Sequence, residues 1–129
     1  MCHLFVQHTA CSLSVNVVDE PQGHLGVRED MEAALDKIVP ASWVHDGTFR
    51  HTIAASDRRH TMPCHVKAAL MGVSLAIPVM RGTLALGEWQ GIYLNEHQSG
   101  HGSHRRSIVA TVQGEVAERS RQGSFPVYR

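Results

Sequence analysis

Three imidazoles, His8, His51 and His65, have the donor type that zinc or a similar transition metal accepts while keeping a coordination position open. They come from ten histidines in 129 residues, a density that favours a metal or proton-transfer site. Their spacing matches no motif such as His-Glu-x-x-His, and each one alone reads equally well as a hydrogen-bonded structural residue. The carboxylates Asp30, Glu96 and Asp57 suit magnesium. Arg105, Arg106 and the backbone N–H groups opening a helix at Pro63 suit phosphate. Ser12, Asn16 and Gln90 can orient a ring, on which Trp89 can stack. Arg106 has a plain structural alternative, an ion pair with Asp30 or Glu96. Cys11 and Cys64, although near His8 and His65 in sequence, read as packing thiols.

Several elements must carry these groups. Residues 3–8 form a short strand by pattern. Residues 12–18 form a clearer one, with Leu13, Val15 and Val17 on one face and Ser12, Ser14 and Asn16 on the other. Val27, Met31, Ala34, Leu35 and Ile38 recur at helical spacing over 25–38, and Pro40 stops the run. Asp30 falls at the edge of that stripe, where a carboxylate can reach a pocket. Residues 41–61 lack periodicity and predict a long loop with one short strand near 48–53. A short helix starts at Pro63 and ends at Gly72.

Val73, Leu75, Ile77 and Val79 alternate in a strand that Pro78 marks as an edge or a bulge. Arg81-Gly82 predicts a hairpin turn. Beyond it, Leu84 and Leu86 alternate, and Trp89-Gln90 opens a further strand. There Ile92 and Leu94 share a face with Gln90 and Glu96, opposite Trp89, Tyr93 and His97. A polar loop leads to Arg105-Arg106 and a last strand over 105–113. The order of elements predicts an α+β, mainly antiparallel fold, with a loosely held polar tail at 116–129.

Composition narrows the function classes. Twelve basic residues balance twelve acidic ones, which gives no support for nucleic acid or a charged membrane surface as a partner. No apolar run reaches the roughly 20 residues needed to cross a bilayer. Cys2, Cys11 and Cys64 show no Cys-x-x-Cys spacing, so a cytoplasmic, reducing location fits best. Leu4-Phe5-Val6 already reads as the middle of a sheet, as though a preceding strand were missing.

Six pieces in one order carry a resemblance. They are His8-Thr9-Ala10-x-Ser12-x-x-x-Asn16, Met62-Pro63-Cys64-His65-Val66-Lys67-Ala68, Leu86-Gly87-Glu88-Trp89-Gln90-Gly91-Ile92, Glu96-His97, Arg105-Arg106 and Val112-Gln113-Gly114-Glu115. Together they resemble the YjbQ-like family, often described as secondary thiamine-phosphate synthases. The resemblance makes 1–115 the family domain, without the family's N-terminal strands. It implies two packed, mainly antiparallel sheets with two helices, a homotrimer with pockets near subunit boundaries, and a weak transferase joining a pyrimidine pyrophosphate to a thiazole phosphate. It places pocket groups on His8, Thr9, Ser12, Asn16, Asp30, His51, His65, Trp89, Gln90, Glu96 and Arg106, with a divalent metal, magnesium or zinc, and a small phosphorylated substrate. The pattern departs at Val17, His60-Thr61 and Glu88. A metal-dependent hydrolase or lyase and a non-catalytic ligand-binding trimer are the alternatives.

Overall fold

A computed structural model describes residues 1–18, 25–50, 62–98 and 105–115. Strand β1 (Cys2–Val6) sits in the middle of a three-stranded antiparallel sheet, flanked by β3 (Ser74–Ile77) and β7 (Ile108–Val112). Strands β2 (Cys11–Val17) and β6 (Gln90–Glu96) form a separate antiparallel ribbon, and β4 (Val79–Met80) and β5 (Thr83–Leu84) a small hairpin. The helices are α1 (Leu25–Ile38) and α2 (Met62–Met71). The α+β reading holds. The described strands divide into three hydrogen-bonded sets, where two sheets were expected.

Pro78 explains the third set. It offers no N–H to extend β3, while its carbonyl accepts from Ala85 N–H at 2.8 Å, so the expected single strand splits there. The turn after β4 has positive φ at both Arg81 (54°) and Gly82 (81°), as a type I′ hairpin requires. Helix α2 stops at Gly72, whose φ of 94° places it in the left-handed region that ends many helices.

The core lies where the sheet meets the ribbon: Val6, Cys11 and Leu13 are buried together, with Leu4, Val73 and Leu75 packed on them. Leu13 N–H bonds Gly72 O (3.0 Å) and ties the ribbon to the chain entering β3, while Val6 N–H to Val73 O (2.9 Å) and His97 N–H to Ala10 O (3.1 Å) extend the two ladders by one pair each. Beyond this core the apolar pattern is only partly used. Ile92 and Leu94 share Leu13's face yet are exposed, and so are Ile108, Val109 and Val112 on β7. On α1, Val27, Met31 and Leu35 are half-buried, whereas Ala34 and Ile38 face solvent. The stretch expected to be loop contains a 3-10 turn at Ala41–Val44, and the Trp43 and Phe49 rings meet edge-on at 6.0 Å.

Candidate functional site

The ribbon register decides which side chains can meet. Cys11 pairs with Glu96 at one end and Val17 with Gln90 at the other. Residues directly opposite in an antiparallel pair point to the same face. Ser12, Ser14 and Asn16 therefore share a polar face with Asn95 and Tyr93. Gly91 lies opposite Asn16, and a Cβ there would come within 2.3 Å of Val18 Cγ2. Only glycine lets Val18 close over the strand at that point.

Beside this polar face stands α1. Between them is a cavity of about 370 Å³, lined by Val27, Arg28, Met31, Glu32 and Leu35 of the helix, by Lys67 of α2, and by Asn16, Tyr93, Leu94, Asn95, Glu96 and His97. The helix presents its apolar stripe to amides and an imidazole. Those polar groups are held in place. Asn95 Nδ2 donates to Ser12 Oγ (3.2 Å) and Ser14 Oγ (3.0 Å), Ser12 Oγ lies 2.8 Å from His97 Nε2, and Tyr93 Oη donates to Val17 O at 2.6 Å. Lys67 is buried and paired with Asp36 of α1. Burial lowers the pKa of His97, and the nearby Lys67 ammonium lowers it further against the opposing pull of Glu96.

At the Glu96 end the ribbon is locked. Arg106 Nε donates to Glu96 Oε2 at 2.6 Å and contacts Cys11 Sγ at 2.9 Å, and Cys11 Sγ donates to the same carboxylate oxygen at 3.3 Å. Arg106 Nη2 reaches Gln98 Oε1 at 3.3 Å, and Gln98 N–H caps Glu96 Oε1 at 3.0 Å. Burial opposes the charge on Glu96, but Arg106, the Gln98 N–H and Cys11 outweigh it and hold the acid below its ordinary pKa. Burial, then Glu96, pushes the Cys11 thiol up to about 11, so it stays protonated and unreactive at neutral pH. Cys64 is likewise raised by burial and donates to His97 O at 2.9 Å.

His8 and His65 share a second hollow, a groove of about 690 Å³ whose walls are mainly Phe5, Val6, Met62, Ala68, Ala69 and Val73, with Thr9 and Gln7 at the rim. Their hydrogen bonds fix different tautomers. Ala10 N–H donates to His8 Nδ1 at 3.0 Å, which leaves the proton of a neutral His8 on Nε2. His65 Nδ1 lies 3.0 Å from Thr9 O, an acceptor only, so it carries its proton there. Main-chain atoms of Thr9 and Ala10 thus orient both rings. His51 lies outside the described residues, as do Asp57, His60, His101 and His104. Among the described residues no group of three or more His, Cys, Asp or Glu is placed to hold a metal together. The donor set does not fit a transition metal within the described residues.

The remaining expected site residues scatter. Asp30 is exposed on α1 and does not line the cavity, because Arg28 and Glu32 flank the stripe on the side that does. Gln90 Oε1 accepts from Gly87 N–H at 2.8 Å, and Trp89 beside it is 59% exposed. Six residue steps separate Gln90 from Glu96, roughly 20 Å of extended strand, so one small molecule does not touch both within a protomer. Asn16 lines the cavity with Oδ1 accepting from Val17 N–H at 2.8 Å, Ser12 is fully buried behind it, and Arg105 is exposed. Arg28, Lys67, Tyr93 and Asn95 were not expected at a site, and His97 only as part of the polar end of its strand. The signal for Tyr93, Asn95 and His97 was their shared parity along β6 and just past it, readable only once the register with Ser12, Ser14 and Asn16 is known.

The family model described as UPF0047 protein YjbQ-like matches residues 1–115. UPF0047 protein YjbQ of Escherichia coli O157:H7 is 41% identical over 115 residues, 89% of this chain and 74% of that protein. UPF0047 protein sll1880 of Synechocystis sp. is 35% identical over 117 residues, 90% of this chain and 71% of that protein. Among solved structures, the conserved hypothetical protein TT1486 from Thermus thermophilus superposes with a TM-score of 0.65 at 29% identity, over 87% of this chain and 76% of that one. The hypothetical protein APE1520 from Aeropyrum pernix has the same fold, with a TM-score of 0.67 at 24% identity over 88% and 73%.

Proposed function

This chain belongs to the UPF0047 YjbQ-like family, and we propose that it binds a small phosphorylated heteroaromatic molecule in the cavity beneath α1. The observation that carries the reading is the opposition of two linings. Met31, Leu35 and Val27 offer an apolar surface for a ring, while Asn16, Asn95 and His97 offer hydrogen bonds to its edge and Arg28 and Lys67 offer charge for a phosphate. A volume of about 370 Å³ is in the range such ligands fill.

The enzymatic form of this reading is a weak transferase joining a pyrimidine pyrophosphate to a thiazole phosphate. In it, Asn16 and Asn95 orient a ring, Arg28 and Lys67 offset charge developing on departing pyrophosphate, and the apolar stripe excludes water. Magnesium, held by the cavity carboxylates Glu32 and Glu96, would supply positive charge to offset the leaving pyrophosphate. Trp89 and Gln90 then belong to a neighbouring copy's site in a homotrimer, an assembly that the exposed Ile92, Leu94, Ile108 and Val112 side chains favour. Arg106 acts through Glu96, which it fixes at the cavity wall. The free cysteines fit a cytoplasmic setting.

Incubating the purified protein with both precursors and magnesium, with product read by mass spectrometry and Tm read in parallel, tests both forms. Product supports the transferase, and a raised Tm without product restricts the protein to binding. If neither precursor raises the Tm, the binding proposal is overturned.

A further inference from the structure

Ser12 is fully buried on the polar face, and its single hydroxyl proton has few places to go. Asn95 Nδ2 approaches at 3.2 Å and can only donate. Met71 Sδ lies 3.6 Å away and is a weak acceptor, whereas His97 Nε2 lies 2.8 Å away and is a strong one. We propose that Ser12 donates to His97 Nε2 and thereby holds the ring as the tautomer protonated on Nδ1, a neutral hydrogen-bond donor to an acceptor atom of the ligand in the cavity. Ser12 is the positioning residue and His97 the binding residue.

The assignment rests on the cavity reading above, and it deepens that reading. His97 lines the cavity while Ser12 does not, so the serine engages one nitrogen from behind and leaves the other as the ring's second polar atom. Burial keeps water from competing for the Ser12 proton. Arg28, Lys67, Glu32 and Glu96 line the same cavity, and a neutral donor contributes a hydrogen bond without shifting that balance of charge. The acceptor that matches such a site is a phosphate oxygen or an unprotonated ring nitrogen.

Long-range 1H–15N correlation spectra of the His97 ring in the full chain decide the tautomer without any ligand. The Nδ1–H pattern is expected, changing toward Nε2–H in Ser12→Ala. An Nε2–H pattern in the unmodified protein overturns the proposal. Binding supplies a second readout that does not depend on Ser12 variants folding. The amide of His97→Asn places a donor near Nδ1, and that of His97→Gln places one near Nε2. The thiazole phosphate is expected to bind His97→Asn within about threefold of the unmodified protein and His97→Gln about tenfold more weakly. Equal loss in both overturns the donor role. Failure of the unmodified protein to bind either precursor removes the cavity reading itself, and the ring assignment is still decided by its nitrogen spectrum.

Discussion

The cavity under α1 and the groove at His8 and His65 differ in a way that volume does not capture. The groove at His8 and His65 is larger, about 690 Å³ against 370 Å³, but its walls are mostly apolar and both histidines are bonded to the local backbone. The cavity under α1 is smaller and has opposed linings, with a hydrogen-bonded network behind its polar wall. Selectivity comes from polar groups that are aimed and already satisfied on their far side, since a ligand that leaves them unpaired is penalised. By that measure the smaller hollow is the better site.

Filling one hollow at a time breaks the comparison most sharply. Leu35→Trp should reduce binding of the thiazole phosphate by about 100-fold or more, since an aromatic side chain is comparable with a small ligand in size. Ala69→Trp, in the groove, should leave it within about threefold, as isothermal titration calorimetry would show. Lys67→Met removes a charge from the cavity alone and should weaken binding by roughly 10- to 100-fold. It also leaves Asp36 without its partner, so unfolding in urea must accompany the titration.

Arg106→Met separates architecture from binding. It strips Glu96 of its ion pair and Cys11 of a contact, and should lower stability by about 2 kcal/mol in urea unfolding. Acid should act on the same wall in two windows. His97 has a lowered pKa in the fold, so the unfolded chain binds the proton first and stability falls as pH drops below about 6.5. Glu96 is also lowered, so its contribution is present above its ordinary value near 4.5 and lost as pH falls through the lower folded value. His97→Gln should flatten the first window and leave the second. Trp89→Ala, at the exposed far end of the ribbon, should change stability by under about 0.5 kcal/mol.

Much of the fold was readable because local chemistry decided it. The stripe Val27, Met31 and Leu35 with Pro40 after it marked α1, Gly72 marked the end of α2, and Arg81-Gly82 marked the hairpin. The pairing of Arg106 with Glu96 was among the structural roles expected for it. Position across the ribbon was not readable. Side chains alternate with a period of two, so parity on β6 was plain, but which parity faces α1 depends on a register that no local signal encodes. Ile92 and Leu94 suggested a buried face, yet they are exposed, and the cavity is lined by Tyr93, Asn95 and His97 as well as by Leu94. Helical spacing likewise shows the α1 stripe but not which of its edges meets the ribbon, the edge that carries Arg28 and Glu32.

Methyl-resolved NMR during titration with the thiazole phosphate tests the central claim most directly. The cavity account predicts saturable shifts at the Met31, Leu35 and Val27 methyls with Met62 and Val73 unmoved. Saturable shifts at Met62 and Val73 with Met31 and Leu35 unmoved would place the ligand beside His8 and His65 and contradict it.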